Sequence, residues 1–395
     1  MDTRKIDIRT IGIGIFTAPQ AGGAYQYTRS VLSAISKLSE KGNLNAIVYS
    51  EYELWKPICD SMGLVFKRLE INPINKCIYH LGYILNKCGI VNSCFYSVHP
   101  LWRSYKKDKL DAMLITSPSY YGKRKGAKLI MPIFDIMHRY IDFEEIGGGD
   151  ISKERDRRYS SICKVSDIVL ADSKLGVEQI CECYGQNEEA IKEKVKALTF
   201  IVADYVRDDN QGKEVEIPEK YIIYPAQFWK HKNHVNLIKA LGELKKKGII
   251  VKLLFTGSGK NAQEDINSAI KECGVENQIT NLGYVDDDEL VYLYRHARAM
   301  IFPSYGGPTN IPPIEALALG CPVAVSNNFA MPEQIGDAGL TFAPDSVEEI
   351  SEAMRSLWED DELCDKLKQK GYSRSKEWTI NQFSDRLLEI ISEII

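Results

Sequence analysis

The sequence contains no CxxC pair, and its ten cysteines are scattered along the chain. The tightest spacing is that of Cys181 and Cys183, which are separated by one residue. Neither a zinc site nor a disulfide framework has this arrangement. We therefore predict reduced thiols in an intracellular protein.

Long apolar runs and an excess of positive charge are missing as well. No stretch of about eighteen uncharged apolar residues occurs, so no segment is predicted to span a membrane. The first residues, MDTRKIDIRT, lack the apolar core and cleavage site of a signal peptide. The formal net charge of -4 gives no reason to predict a nucleic-acid partner. We predict a cytoplasmic protein, with the inner face of the membrane as a second location.

An α/β pattern on the scale of two domains is present. The 395 residues exceed one ordinary core, and β-rich runs alternate with helical periodicity, as in Thr10–Phe16 before Tyr27–Leu38. A polar stretch at 208–214 interrupts this rhythm, which restarts at Tyr221–Pro225. We predict two Rossmann-like doubly wound domains, 1–207 and 208–375, that face each other across a cleft. The other predicted strands are Asn45–Ser50, Ala112–Ile115, Leu129–Phe134, Ile168–Ala171, Val251–Thr256, Ile279–Leu282, Ala299–Pro303 and Pro322–Ser326.

The last segment, 376–395, is predicted to be an amphipathic helix. Phe383, Leu387, Leu388 and Ile391 lie on one apolar stripe together with Ile390. Such a stripe needs a partner surface. Either domain, the N-terminal one included, or another subunit is expected to supply it.

Residues 71–109 mix aromatic and basic side chains, among them Tyr79, Tyr83, Trp102 and Arg103. This composition suits peripheral contact with membrane headgroups or with a lipid-linked molecule. It equally suits a pair of core helices with a solvated face. Both interpretations stay open.

The most informative segment runs from Phe302 to Val323 and reads FPSYGGPTNIPPIEALALGCPV. Its pattern predicts a strand, a loop, a helix, a glycine stop and a second strand. Glu315 is predicted at the start of the helix, where backbone amides face an anion. A carboxylate at this point is able to accept hydrogen bonds from two vicinal hydroxyls, as on a ribose.

Two further segments follow strands in the second half. Lys230 and Lys232, in YPAQFWKHKNH, place positive charge at the carboxyl end of a strand, where doubly wound folds bind a diphosphate. Gly257 belongs to a glycine-rich turn after another strand, which is a weak signal alone. His231 and His234 lack a nearby carboxylate pattern, so we predict no metal.

Taken together, these segments resemble the C-terminal domain of glycosyltransferase family 4. The resemblance covers 221–350 and extends to Gly22-Gly23, Ala127–Tyr140 and Ser166–Gly185. It implies the GT-B fold, an acceptor domain followed by a donor domain, and retaining transfer from a nucleotide-sugar donor. It further implies that no metal or other cofactor takes part. The implied acceptor is a saccharide or a lipid-linked saccharide, as in bacterial cell-surface polysaccharide synthesis.

The resemblance also implies roles for particular residues. Glu315 matches the second glutamate of the family's paired-glutamate motif and would hold the donor ribose. Lys232 matches the lysine that contacts the diphosphate and the charge of the leaving group. Gly22 and Gly23 match the N-terminal glycine loop, which lets backbone approach the phosphates or the acceptor.

Three positions depart from the family pattern. Gly307 stands where the first glutamate belongs, Gln227 where an arginine is usual, and Phe134 where a histidine is usual. His138 is a substitute if a helix begins near Asp135, because residues four apart share a helix face. Asp135 alternatively supplies the polar contact itself or caps that helix. The GPTN run that starts at Gly307 is the expected substitute for the glutamate.

The candidate site therefore draws on both domains. The candidate catalytic residues are Lys232, Asp135 and His138. The candidate donor-binding residues are Glu315, Lys232, Gln227, Gly257, Pro308, Thr309, Asn310 and Ile311.

Same-face substitution is the favoured mechanism, in which the donor phosphate leaves and the acceptor hydroxyl attacks from the side it vacates. The transition state would resemble an oxocarbenium ion. Because of the three departures, two other functions stay open. One is a catalytically silent nucleotide-sugar-binding partner subunit of a glycosyltransferase complex, and the other is a nucleotide-sugar epimerase on the same fold.

Overall fold

The computed structural model describes residues 9–18, 22–87, 99–118, 122–186, 188–207, 210–307 and 310–395. The strands in these ranges are β1 (Thr10–Ile15), β2 (Asn45–Ser50), β3 (Val65–Arg68), β4 (Ala112–Ile115), β5 (Leu129–Pro132), β6 (Ile168–Ala171), β7 (Val195–Ala197), β8 (Ile222–Pro225), β9 (Leu253–Thr256), β10 (Ile279–Asn281), β11 (Ala299–Phe302), β12 (Val323–Ser326) and β13 (Gly339–Phe342).

Helices connect most of these strands. They are α1 (Gly23–Glu40), α2 (Lys56–Ser61), α3 (Pro73–Lys87), α4 (Pro100–Lys107), α5 (Glu144–Gly147), α6 (Asp150–Val165), α7 (Lys174–Tyr184), α8 (Glu189–Lys194), α9 (Asp204–Arg207), α10 (His234–Lys246), α11 (Gln263–Cys273), α12 (Asp287–His296), α13 (Ile311–Ala318), α14 (Met331–Ile335), α15 (Val347–Glu359), α16 (Asp361–Glu377) and α17 (Ile380–Ser392). Short 3₁₀ turns lie at Glu53–Trp55, Met137–Arg139, Lys230–Lys232 and Glu276–Gln278.

The described residues divide into two compact units. The first unit takes them from 1–136, 153–199 and 380–395, and the second from 137–152 and 200–379. The predicted domains were single stretches, whereas each unit gathers separate pieces of the chain. The main difference from the predicted domains is the segment 137–152, which precedes the predicted boundary and yet belongs to the second unit.

The first unit is built on one parallel sheet with the strand order β3-β2-β1-β4-β5-β6-β7. Strand β1 lies between β2 and β4, with Ile11 opposite both Ala46 and Ala112. The strand order reverses between β1 and β4, and in such sheets ligands bind beyond the carboxyl ends at the reversal. Gly22 and Gly23 follow β1 on this side.

Helix α17 completes the first unit by packing on α1. Its buried side chains include Phe383, Leu387 and Ile391, and α1 contributes Val31 and Ile35. The apolar periodicity of both helices was visible in the sequence. The surface that α17 covers is therefore α1 of the N-terminal half.

The second unit repeats the design with the strand order β10-β9-β8-β11-β12-β13, again all parallel. Strands β8, β9, β11 and β12 are buried along their whole length, as expected of a parallel sheet with helices on both faces. The order reverses between β8 and β11. The loops that follow these two strands therefore share one end of the sheet.

The predicted fold class, an α/β protein with two Rossmann-like doubly wound sheets, is confirmed. All ten predicted strands occur, with ends that differ by two residues at most. Strands β3, β7 and β13 were not predicted. They are short or partly exposed, and their pairing with a longer neighbour is what makes them strands.

Candidate functional site

Lys232 and Asn310 meet at the reversal between β8 and β11. The Lys232 ammonium donates a hydrogen bond to Asn310 Oδ1 over 3.2 Å and lies 5.4 Å from the centre of the Phe302 ring. Asn310 immediately precedes α13, so the lysine charge lies near the positive end of that helix. This arrangement suits an anion.

Both partners are held firmly. The backbone N–H of Asn310 donates to Gln334 Oε1 over 3.1 Å, and Gln334 Nε2 donates back to the Asn310 carbonyl over 2.6 Å. The carbonyl of Lys232 accepts from the Tyr224 hydroxyl over 2.6 Å. Next to it, Asn233 has a left-handed φ of 60°, which asparagine tolerates better than most residues. The Asn233 side chain donates to the Pro303 carbonyl over 3.0 Å and thereby ties the two loops together.

A carboxylate from the first half of the chain also lies in this region. Glu145 Oε1 accepts from the backbone N–H of His231 over 3.0 Å, and the His231 ring Nδ1 is 2.8 Å from the same oxygen. Glu145 Oε2 accepts from Asn261 over 2.9 Å. Burial raises the pKa of Glu145, but these hydrogen bonds outweigh it and hold the pKa at about 2. The carboxylate is therefore ionised and only accepts, so Nδ1 carries the ring proton.

Glu315 lies deeper than the sequence suggested. The helix begins at Ile311, so Glu315 is the fifth residue of α13. The whole residue is only 2% exposed. Its Oε1 accepts from the Tyr205 hydroxyl over 2.5 Å and its Oε2 from the Tyr294 hydroxyl over 3.2 Å. Burial raises the pKa of Glu315 to about 7, and the two tyrosine hydrogen bonds oppose that rise.

The glycine loop before α13 explains one departure from the family pattern. Gly307 has a φ of 106°, and a Cβ there would collide with the Asn310 side chain. Its N–H is directed at the Met137 sulfur. A glutamate at position 307 would therefore strain this backbone. Two other predicted residues, Pro308 and Thr309, lie outside the described residues.

The remaining predicted donor-binding residues have different surroundings. Gln227 is exposed, and its Oε1 accepts from the Trp229 indole over 2.9 Å. Gly257 has a φ of 119°, and a Cβ there would lie 2.6 Å from the Ala226 carbonyl oxygen. Ile311 is the first residue of α13. These residues border the loops after β8, β9 and β11.

In the first unit, Asp135 pairs with Arg155 Nη2 over 2.5 Å. Phe134 packs edge-on against Tyr27, with 4.9 Å between ring centres. Gly22 has a φ of 56° and precedes α1, of which Gly23 is the first residue. The structure thus places Asp135, Gly22 and Gly23 in this unit and all the other described candidates in the second.

The shared-face interpretation of His138 required a helix that begins near Asp135. The structure has a three-residue 3₁₀ turn at Met137–Arg139, and Phe134 and Asp135 lie before it. The four-residue spacing from Phe134 therefore does not place His138 on a shared helix face. His138 is buried in that turn, and its carbonyl accepts from the Ser152 hydroxyl over 3.4 Å.

The two histidines near Lys232 have separate environments. His231 is engaged by Glu145, whereas His234 is 1% exposed and lies within 5.2 Å of the rings of Tyr224, Phe228 and Phe255. Burial lowers the pKa of His234 to about 3. In the part of the chain that the structure describes, no group of three or more His, Cys, Asp or Glu side chains is arranged to hold a metal ion.

Three residues of this region were missed by the sequence reasoning. Tyr205, Tyr294 and Glu145 contact Glu315 or His231 from positions 110, 21 and 86 residues away in the chain. No local pattern distinguishes them from other tyrosines and glutamates. The only available signal was that Glu315, if buried, would need hydrogen-bond donors.

Comparison with solved structures identifies the class of fold. A glycosyltransferase from Rickettsia africae is 17% identical, with a TM-score of 0.69 over 98% of this chain and 99% of that one. Anabaena Alr3699/HepE, in complex with UDP and glucose, is 14% identical, with a TM-score of 0.70 over 97% of this chain and 99% of that one. At these identities the likeness establishes the fold alone, which is that of the GT-B glycosyltransferases.

Sequence comparison then finds a family match within the second unit. Residues 206–374 match the family "Glycosyl transferases group 1". The resemblance to a GT-B glycosyltransferase is thereby confirmed.

Two curated relatives illustrate the match. The O-antigen chain mannosyltransferase B of Escherichia coli is 31% identical over 160 residues, which are 40% of this chain and 42% of the relative. An N-acetylgalactosaminyltransferase of Campylobacter jejuni, named for a diphospho-undecaprenol-linked acceptor, is 25% identical over 53% of this chain and 56% of the relative. The matches thus span about half the length of these relatives.

Proposed function

We propose that this protein is a retaining, metal-independent glycosyltransferase. It moves a sugar from a nucleotide-sugar donor to a saccharide or lipid-linked saccharide acceptor. The observation that carries this proposal is the group 1 match over 206–374, within which Lys232 and Asn310 meet at the strand-order reversal. The name of the O-antigen relative supports a role in bacterial cell-surface polysaccharide synthesis.

Lys232 is proposed to bind the donor diphosphate. Its ammonium lies beside Asn310, at the N-terminal end of α13, where the helix dipole also favours an anion. As the glycosidic bond breaks, negative charge grows on the departing phosphate. A fixed cation at that point is worth about 3 kcal/mol in a water-poor site. The acceptor hydroxyl then attacks from the same face, and the departing phosphate takes its proton.

Glu315 is proposed to hold the donor ribose. A carboxylate has about four lone-pair sites, and the tyrosines occupy two of them. Glu315 is buried, so a ribose reaches it only after one of the tyrosines moves. Tyr205 is the one proposed to move, because it is more exposed than Tyr294. Asp135, His138, Gly22 and Gly23 remain the proposed contributors from the first half of the chain.

Nucleotide release by the purified protein tests this function. The assay uses UDP-, GDP- and ADP-sugars in the presence of EDTA, with a lipid-linked saccharide as acceptor. We expect one nucleotide series to be released and the product to keep the anomeric configuration of the donor, as read by NMR. Lys232→Met should lower turnover by about a hundredfold or more. Release that requires a divalent metal, or an inverted product, would contradict the mechanism.

A second candidate is a catalytically silent nucleotide-sugar-binding subunit. The observation that favours it is the engagement of both Glu315 oxygens by tyrosines, together with the absence of a glutamate at Gly307. Such a subunit would bind the nucleotide sugar but release no nucleotide when acceptor is added. Binding without release would therefore select this alternative.

Peripheral membrane contact through 71–109 is proposed for the acceptor side. Helix α3 exposes Ile74, Leu81 and Ile84 at 69%, 48% and 50%, and they lie along one face because of their spacing. Residues 88–98 of the segment lie outside the described residues, as do the side chains of Tyr79 and Tyr83. No described helix is long and apolar enough to cross a membrane.

Sedimentation with lipid vesicles tests this contact. Ile84→Asp should reduce binding to phosphatidylcholine vesicles that contain phosphatidylglycerol. Ile250→Asp is the control, because Ile250 is similarly exposed, at 53%, in the second unit. Equal vesicle binding by Ile84→Asp and Ile250→Asp would contradict membrane contact through 71–109.

A further inference from the structure

Glu145 interacts with the backbone of the turn that carries Lys232. This turn, Lys230–Lys232, is only three residues long and lies in the connection between β8 and α10. In so short a turn the backbone N–H groups have few partners of their own. Their hydrogen bonds therefore decide how rigidly the lysine is presented.

The Glu145 carboxylate organises those hydrogen bonds. The N–H of His231 donates directly to Glu145 Oε1 over 3.0 Å. The N–H of Lys230 donates to Asn261 Oδ1 over 3.1 Å, and the Asn261 amide donates in turn to Glu145 Oε2 over 2.9 Å. Two successive N–H groups of the turn are thus tied to one side chain.

The same carboxylate fixes the His231 ring. The backbone carbonyl of His231 in turn holds the other loop of the site. The His231 carbonyl accepts from the N–H of Tyr305 over 2.8 Å. Phe143, two residues before Glu145, lies 5.4 Å from the Tyr305 ring, measured between ring centres. The side chains of Glu145 and His231 are only 8% and 12% exposed. Water therefore replaces these contacts poorly, and an ionised carboxylate makes them stronger than neutral hydrogen bonds.

We propose that Glu145 is a positioning residue, which fixes the Lys230–Lys232 turn so that the Lys232 ammonium is held where the donor diphosphate binds. This inference rests on the proposed function, because it assumes that Lys232 meets a diphosphate. Glu145 itself does not touch the donor. Its effect on binding and turnover passes through Lys232.

The test is a double-mutant cycle between Glu145 and Lys232. Glu145→Gln keeps the size of the side chain, and one of its two oxygens becomes an amide that cannot accept. Glu144→Gln is the matched control, since Glu144 is an exposed neighbour on the same helix and undergoes the same change of charge. Binding of UDP, GDP and ADP and the turnover of the nucleotide-sugar donor are measured for each variant, alone and with Lys232→Met. Thermal unfolding reports the fold.

We expect Glu145→Gln to lower diphosphate affinity or turnover about ten- to hundredfold, as displacement of a positioned group does, while Glu144→Gln stays like the wild type. In the Lys232→Met background, Glu145→Gln should have little further effect, because coupled residues are not additive. Glu145→Asp, which keeps the charge, should restore part of the activity that Glu145→Ala loses.

Two results would overturn the inference. One is equal activity of Glu145→Gln and Glu144→Gln. The other is a full additive loss in the Lys232→Met background, which would mean that Glu145 only stabilises the fold. The proposed function fails differently, because in that case the wild type neither binds the diphosphates nor releases nucleotide.

Discussion

Glu315 shows how much a single residue depends on its surroundings. In the sequence it is one of many glutamates, but in the fold it is buried and accepts from Tyr205 and Tyr294. The two tyrosines differ, because Tyr294 is fully buried whereas Tyr205 is partly exposed on the four-residue helix α9. If the donor ribose reaches Glu315, it competes with the Tyr205 hydroxyl and not with Tyr294.

Removal of the Tyr205 hydroxyl should therefore tighten nucleotide binding. In Tyr205→Phe the ribose no longer has to displace a hydrogen bond to a carboxylate, which is worth about 1.5 kcal/mol or more. We expect about a tenfold lower dissociation constant for the nucleotide that the wild type prefers, measured by calorimetry. Tyr294→Phe is the control and should not tighten binding. Weaker binding by both variants would place the ribose elsewhere.

At the scale of single elements, the turn after β9 requires glycine at position 257. Gly257 combines a φ of 119° with a Cβ position 2.6 Å from the Ala226 carbonyl oxygen. Gly248, after α10, has a φ of 78° but no atom within 4 Å of its Cβ position. The first glycine thus serves conformation and close approach, and the second serves conformation alone.

Gly257→Ala should cost at least about 2 kcal/mol of unfolding free energy, because strain and a backbone clash add. Gly248→Ala should cost about 1 kcal/mol, from the left-handed conformation only. Urea unfolding of both variants measures the difference. Equal losses would show that the loop after β8 adjusts to the added methyl group.

The terminal helix α17 stabilises the first unit through one face, which packs on α1. Leu387 is fully buried on the side of α1, while its neighbour Leu388 is half-buried. Leu387→Ala should destabilise the first unit by about 2–5 kcal/mol through the cavity it leaves. Leu388→Ala should cost about 1 kcal/mol or less. Chemical denaturation of the two variants checks this order. A larger loss of unfolding free energy for Leu388→Ala would show that Leu388, and not Leu387, lies on the face that packs on α1.

At the scale of the whole molecule, two buried groups give opposite dependences of stability on pH. Burial lowers the pKa of His234 from 6.5 to about 3, so its contribution is present above pH 6.5 and is lost as the pH falls. Burial raises the pKa of Glu315 from 4.5 to about 7, so its contribution is present below pH 4.5 and is lost as the pH rises through 7. Between pH 4.5 and pH 6.5 the two contributions to the free energy of unfolding change in opposite directions and offset each other.

Glu315→Gln should separate the pH dependence of stability that Glu315 causes from the one that His234 causes. The variant lacks the acid stabilisation that Glu315 provides, so it should gain stability relative to the wild type as the pH rises from 4.5 to 8, by about 3 kcal/mol. Differential unfolding at several pH values measures this gain. A difference between the two proteins that does not change with pH would mean that Glu315 is not buried as a carboxyl group in the native state.

Much of the fold follows from local patterns. The strands β2, β4 and β6 were predicted to the residue, because runs of buried apolar side chains need no knowledge of the partner strand. Strand β3, which contains Lys67 and Arg68, has no such run. Its pairing with β2 decides its conformation.

For the candidate site, the sequence by itself determined the motif around Glu315, the position of Lys232 and the fold that brings their loops to one end of a sheet. Only the tertiary structure decided that Glu315 is buried under tyrosines, that Gly307 has a positive φ beside the Asn310 side chain, and that Glu145 accepts hydrogen bonds from the lysine turn. The physical reason is that charge, burial and hydrogen bonding depend on neighbours in space. For Glu145 and His231 those neighbours are 86 residues apart in the chain.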